Sequence, residues 1–190
     1  VDDLALVLQD RDFDATGRPV RPPLAATLGH GFRGGTVIVN GTAEALATVL
    51  SARPEVLNHN LETVASLYPT VRPQAGYQQS LAVLRQSKLI APEIVTKCGI
   101  MVGLGERGEE LHQLMRDLHQ VDCDILTIGQ YLQPSKNHLS VVRYLPPEEF
   151  AELEQQALAL GFGAVAAAPF VRSSYQAESL FRRARSAARS

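Results

Sequence analysis

Three observations predict an α/β fold on a parallel sheet or an α/β barrel for this chain. Strand-like and helix-like runs alternate from about residue 43 onward, the pattern of βα units. The run from about 107 to 121 places Leu111, Leu114, Met115, Leu118 and Val121 at i, i+3, i+4, i+7 and i+10, one apolar face of a helix. A length of 190 residues, 45% of them hydrophobic and 20% charged, suits a single globular domain with a sizeable core. On such a frame chemistry is expected at the carboxyl ends of the strands.

Taken in order, 43-AEALATVLSA-52 reads as a helix and 55-EVLNHN-60 as a strand. A helix follows around 78-QQSLAVLRQSK-88, then the strand 95-VTKCGIMVGLGE-106. Beyond the helix at 107 to 121 comes the strand 125-ILTIGQY-131. The next helix opens on Pro146, Pro147, Glu148 and Glu149, residues suited to a first turn, and closes at Gly161; 164-AVAAAPF-170 is the last strand. Residues 8 to 42 are dense in Gly, Pro and charge and read as loops around one short strand, 36-TVIVN-40. The chain thus divides into a loop-rich leading segment, 1–42, an α/β body, 43–178, and a basic tail, 179–190, expected to be a solvated end or at most a short helix.

Composition excludes several classes. No apolar run approaches the length of a membrane span, and a net charge of −2 gives no reason to expect nucleic acid. Cys98 and Cys123 are the only cysteines, too few for a disulfide framework or a Cys-only metal site. With no signal-peptide pattern in VDDLALVLQDRDF, a reducing setting is expected, cytoplasmic or, in a eukaryote, organellar. The first residue is not Met, and the expectation is that the chain begins inside a longer protein.

The stretch 98-CGIMVGLGERGEELHQLMRDL-118 holds Gly103, Gly105 and Gly108 as G-x-G-x-x-G, the spacing of a dinucleotide-binding loop. The rest of that fingerprint is missing. Glu109 and Glu110 on the first helical turn oppose a pyrophosphate, and the next strand ends Gly129, Gln130, Tyr131 with no acid for a ribose hydroxyl. Alternation along the strand is more informative. It puts Lys97, Gly99, Met101, Gly103 and Gly105 on one face and Cys98, Ile100, Val102 and Leu104 on the other. The bare face admits a ligand or tight barrel packing, and the aliphatic face is one that helices cover, leaving Cys98 an inert buried thiol.

The same alternation groups Val56, Asn58, Asn60 and Glu62 opposite Leu57, His59 and Leu61. Polar groups at a buried strand end need partners, which a ligand or a cap can supply. Gln130, Tyr131 and Gln133 end the next strand but one. In 169-PFVRSSYQAE-178, Arg172 is a candidate anion clamp and Ser173, Ser174 and Tyr175 are candidate ligating hydroxyls, or the segment is an ordinary helix entrance. No base for a serine nucleophile is evident: His138 lies in a loop-like stretch, and His112 and His119, seven apart on one helix, face solvent. No histidine pair has ligand spacing.

The segments 59-HNLETV-64, 71-VRPQAGYQQSLAVL-84, 96-TKCGIMVGLGE-106, 115-MRDL-118, 130-QYLQPS-135, 138-HLSVVRY-144, 147-PEEF-150 and 169-PFVRSSYQA-177 together resemble lipoyl synthase, a radical S-adenosylmethionine family, from about Glu44 to Ala177. The resemblance implies the carboxyl-terminal part of a partial TIM-like radical-SAM (β/α) barrel. It implies an enzyme that inserts two sulfur atoms at C6 and C8 of an octanoyl group carried on a lysine of a lipoyl carrier domain. One [4Fe-4S] cluster would reduce S-adenosylmethionine to a hydrogen-abstracting radical, and an auxiliary [4Fe-4S] cluster would give up sulfur. Carried onto this sequence, Asn60, Glu62, Gly103, Gly105, Glu106, Gln130 and Tyr131 fall on the S-adenosylmethionine side, with Pro134 in the same segment as the last two. Ser174, with Ser173 as the alternative, would ligate the auxiliary cluster, an unusual oxygen ligand, supported by Arg172. The implied partners are octanoylated carrier domains of 2-oxoacid dehydrogenase E2 subunits and of the glycine cleavage H protein, and an electron donor such as ferredoxin or flavodoxin.

The family's C-x3-C-x2-C motif and its three auxiliary-cluster cysteines have no counterpart here, and residues 8 to 42 do not match it. The expectation is a carboxyl-terminal portion, inactive alone, with unpaired strand edges and an exposed apolar interior. Two alternatives stand beside it: a degenerate, non-catalytic S-adenosylmethionine- or carrier-binding module, and a nucleotide-dependent oxidoreductase resting on GLGERG.

Overall fold

Four parallel strands lie side by side in chain order: β1 (Val56–Asn58), β2 (Val95–Val102), β3 (Ile125–Gln130) and β4 (Ala164–Ala167). The structure is a computed structural model and describes residues 43–187; the leading segment 1–42, with its expected strand at 36–40, lies outside the described residues. Helices alternate with the strands: α1 (Ala43–Ser51), a short 3-10 turn (Ala65–Leu67) running into α2 (Tyr68–Val71), then α3 (Tyr77–Ile90), α4 (Gly108–Gln120), α5 (Pro147–Leu160) and α6 (Ala177–Ala187). The βα alternation predicted from the sequence is thus the fold. Its register pairs Asn58 with Lys97, Lys97 with Ile125, Gly99 with Thr127 and Thr127 with Ala166.

The two faces of the sheet are sorted by the period of the strands. Leu57, Cys98, Ile100, Val102, Leu126, Ile128 and Val165 point into the main core, with Leu111, Leu114, Met115 and Leu118 of α4 and Phe150 and Leu153 of α5. The helical period read from the sequence is therefore the buried stripe of α4. Glu110 accepts the Arg107 N–H at 2.9 Å, holding the start of α4. At the end of α5, Gly161 takes φ +107 and its N–H returns to the Ala157 and Leu158 carbonyls.

Several elements are shorter than the sequence suggests, each for a local reason. β2 stops at Val102 because Gly103 and Gly105 take φ of +98 and +108 and turn the chain out of the sheet. β4 ends at Ala167, before the Pro169 ring. β1 ends at Asn58 on a bulge. Asn58 pairs with Lys97, yet Ile100 bridges to Glu62 instead of Leu61, so one extra residue is carried on the β1 side. Arg72 fastens the bulge, donating from Nη1 to the carbonyls of Asn60 at 2.9 Å and Leu61 at 3.4 Å.

Of the basic tail, residues 179–187 lie in α6, the short helix the sequence allowed, and 188–190 lie outside the described residues. Arg182, Arg183 and Arg185 are exposed, while Leu180 and Ala184, one turn apart, are buried against Val95, Ile125, Ala164 and Ala166. The inner face of the sheet, expected to lie exposed, is covered by α6 over the amino-terminal ends of β2 to β4. Among the described residues no helix is long and apolar enough to cross a membrane.

Candidate active site at the carboxyl ends of the strands

Above α6 the inner face becomes polar. Asn58 Nδ2 donates to Asn60 Oδ1 at 3.1 Å, and Asn60 Nδ2 donates to Glu62 Oε1 at 3.1 Å. The three side chains that alternation groups together therefore form one chain of hydrogen bonds. Asn60 Oδ1 also accepts the Gly99 N–H at 2.9 Å. The bulge has moved the backbone carbonyl away from that amide, and a side-chain carbonyl replaces it.

At Gly99 the room a side chain would take is held by its neighbours. A Cβ there would lie 2.9 Å from Asn60 Oδ1 and 3.1 Å from Thr127 Oγ1. Glu62 sits in the left-handed region at φ +66, a conformation a non-glycine residue holds only under constraint. Burial raises its carboxyl above the ordinary range, opposed by the Asn60 hydrogen bond and the Arg72 charge. Asn58 is buried and its Oδ1 has no partner among the described residues. An orphaned acceptor on a polar wall is where a ligand donor would sit.

Lys97, beside Asn58 in the sheet, is only 4% exposed. Its ammonium donates to the Ser173 carbonyl, and burial lowers its pKa to about 8. Ser173 and Ser174 lie in the turn after β4, Ser173 half-buried and Ser174 exposed with Arg172. Arg172 Nη1 donates to the Val171 carbonyl at 2.7 Å, so the guanidinium braces its own turn. That turn crosses Gly129, where a Cβ would lie 2.2 Å from the Val171 carbonyl oxygen.

The remaining residues named from the sequence form a loop platform at the rim. Glu106 accepts the Gly103 N–H at 2.6 Å and the Leu104 N–H at 2.9 Å, so its own carboxylate fills the anion-cradling position of the glycine turn. Gln130 follows Leu126 and Ile128 in strand parity, and its amide is fully engaged away from the inner wall. Nε2 donates to the carbonyls of Tyr131 at 3.1 Å and Arg143 at 3.0 Å, and Oε1 accepts the Leu145 N–H at 3.0 Å. Tyr131 is buried and donates its hydroxyl to the Leu139 carbonyl at 2.8 Å. Pro134 and Gln133 are exposed. Sequence reasoning missed Thr127, which strand parity could have placed opposite Gly99, and Arg72, which carries no sequence signal of its own.

Among the described residues no three His, Cys, Asp or Glu side chains cluster to hold a metal ion. Cys98 and Cys123 are buried and face the core. Burial pushes the Cys98 thiol well up and the Cys123 thiol up to about 12, as expected of inert packing thiols. Two thiols packed among core side chains do not supply the cysteine thiolates that a [4Fe-4S] cluster takes.

No family model matches the chain. Among curated proteins it is 57% identical over 144 residues to the lipoyl synthase of Desulfotalea psychrophila, covering 76% of this chain and 48% of that protein. Against the lipoyl synthase of Caldanaerobacter subterraneus subsp. tengcongensis the identity is 52% over 138 residues, covering 73% and 49%. Against that of Rubrobacter xylanophilus it is 54% over 137 residues, covering 72% and 43%. The chain spans about half the length of the curated relatives it matches. With that identity carried on a parallel α/β sheet, the chain belongs to the lipoyl synthase family, whose carboxyl-terminal part it carries.

Proposed function

We propose that this sequence works, within a complete polypeptide, as a lipoyl synthase: it inserts two sulfur atoms at C6 and C8 of an octanoyl group on a lipoyl carrier domain, using S-adenosylmethionine. The observation that carries the proposal is the identity of 52% to 57% to proteins named lipoyl synthase over about three quarters of the chain. The partners are octanoylated carrier domains and a low-potential electron donor. By itself the 190-residue chain is inactive, because its two core cysteines cannot hold either cluster.

S-adenosylmethionine fits the polar wall on one count: the orphaned, buried Asn58 oxygen, which could accept from a donor on the ligand. When bound, it supplies the hydrogen-abstracting fragment. Asn60 and Glu62 bind and orient it along the wall. Gly103, Gly105, Glu106, Gln130 and Tyr131 shape the rim above it, since their polar groups hold the loop. Ser174, with Ser173 as alternative, is the hydroxyl offered to the auxiliary cluster in the complete protein, and Arg172 stiffens that turn.

The test is equilibrium binding of S-adenosylmethionine and of NADH to the chain, with iron analysis of the same sample. Binding of S-adenosylmethionine that is weakened by Asn60→Ala, no micromolar NADH binding and no stoichiometric iron are expected. Micromolar NADH binding would return the glycine turn to a dinucleotide role; stoichiometric iron would refute the statement that the chain cannot hold a cluster. The burial of both cysteines favours a second reading, a non-catalytic module that keeps the cofactor or carrier surface. Joining the chain to the missing half of a relative separates the two: formation of lipoyl groups supports the enzyme, and binding without turnover supports the module.

A further inference from the structure

We propose that Lys97 is a positioning residue, whose ammonium seats the turn bearing Ser173 and Ser174 over the bare strand wall. The inference rests on the lipoyl synthase reading only for what the turn does; the placement itself is independent of it.

Lys97 occupies the second strand of the four, where an aliphatic side chain would be the stable choice. It is 4% exposed, and none of the salt bridges among the described residues includes it. A buried ammonium without a carboxylate is costly, and a merely structural position would not retain one. Its single hydrogen bond runs to the Ser173 carbonyl, 76 residues along the chain.

The turn has little else to hold it. Backbone ties from β3 to the segment after β4 end with the Gln130 N–H on the Pro169 carbonyl at 3.2 Å. Beyond that point the hydrogen bonds are local: Val171 N–H to Ala168, Tyr175 N–H to Arg172, and the Arg172 side chain to Val171. Among the described residues the Lys97 ammonium is therefore the one hydrogen-bond donor from another element that reaches residues 171–176. The peptide group it grips contains the Ser173 carbonyl and the Ser174 nitrogen in one plane. Holding that plane places the Ser174 Cα, from which the exposed side chain projects.

The experiment compares the full 190-residue chain with Lys97→Met and Lys97→Arg by residue-resolved hydrogen exchange and by urea unfolding. Loss of a hydrogen bond to a charged donor should speed exchange of the Tyr175 amide, which is bonded to the Arg172 carbonyl across the turn, about ten- to a hundred-fold in Lys97→Met. Protection at Met101 and Tyr131 should hold, the urea midpoint should stay or rise because a buried charge has gone, and Lys97→Arg should restore most of the turn's protection. Unchanged exchange in residues 172–176 of Lys97→Met overturns the proposal. A falling midpoint with protection lost across the whole sheet also overturns it, making Lys97 a general structural residue. Neither result bears on the lipoyl synthase reading, which S-adenosylmethionine binding and lipoyl formation decide separately.

Discussion

Adding one methyl group to each glycine of the G-x-G-x-x-G run separates three physical situations that look alike in the sequence. At Gly103 the backbone φ is +98, and a new Cβ would lie 2.2 Å from Gln130 Nε2 and 2.3 Å from the Arg143 carbonyl oxygen. One of those atoms is backbone, so the clash cannot be relieved by a rotamer change alone. Holding Ala at such a φ costs about 1–3 kcal/mol. Displacing the Gln130 amide strands the buried Leu145 N–H, for about 1–3 kcal/mol more. Gly103→Ala should therefore lose about 2–6 kcal/mol, a fall in Tm of roughly 5–20 °C for a chain of this size. At Gly105 φ is +108, but the nearest atom to an added Cβ is Val142 Cγ2 at 3.7 Å. Gly105→Ala should carry only the conformational strain, about 1–2 kcal/mol. At Gly108, the first residue of α4, nothing lies within 4 Å and φ is ordinary, so Gly108→Ala should be neutral or stabilise by up to about 1 kcal/mol. Thermal and urea unfolding of the three variants reads the order directly. If Gly103→Ala cost no more than Gly105→Ala, the close approach of Gln130 and Arg143 would not be what requires glycine there, and the reasoning would fail.

Three further outcomes follow from the core and the rim. Gln130→Ala should lower stability by about 2–4 kcal/mol, because the Leu145 N–H and two carbonyls lose their partner; a loss under 1 kcal/mol in urea unfolding would contradict the clamp. Burial, with the Arg72 charge second, lowers His59 to about 4 in the folded chain from an ordinary 6.5, so its contribution is complete above about pH 6.5 and is lost as pH falls toward 4, by roughly 3 kcal/mol in all. Replacing His59 with Leu should flatten that part of the stability–pH curve, and an unchanged slope would show that another group titrates there. Cys98 and Cys123 should resist a thiol reagent in the native chain and react together only on unfolding; labelling of either under native conditions would refute their burial.

Alternation and helical period make much of the fold legible, because both are fixed by backbone geometry. Asn58, Asn60 and Glu62 fall on one side by counting in twos, and the structure joins them by hydrogen bonds. The bulge that achieves this is not legible, since an extra residue opposite Ile100 depends on Arg72 reaching the Asn60 and Leu61 carbonyls. Gln130 shows what counting in twos leaves out. Its position at a strand end suggests a site, but its parity with Leu126 and Ile128 sends the amide to a returning loop that no local pattern announces. In the tail, the arginines of 182-RRARSAARS-190 mask a two-residue apolar stripe, Leu180 and Ala184, which is enough to dock α6 when a sheet face is available. The rim glycines divide in the same way: which of them needs to be glycine is decided by Gln130 and Arg143, 27 and 40 positions later.

The docking of α6 also decides which end of the strands stays dry. Leu180 and Ala184 lie against Val95, Ile125 and Ala164, so among the described residues the amino-terminal end of the inner face is occupied by aliphatic side chains. The polar groups of Asn58, Asn60 and Thr127 are thereby left to the other end of the same face. Trimming the plug with Leu180→Ala would let water in beneath the Lys97 ammonium and weaken the contrast between the two ends.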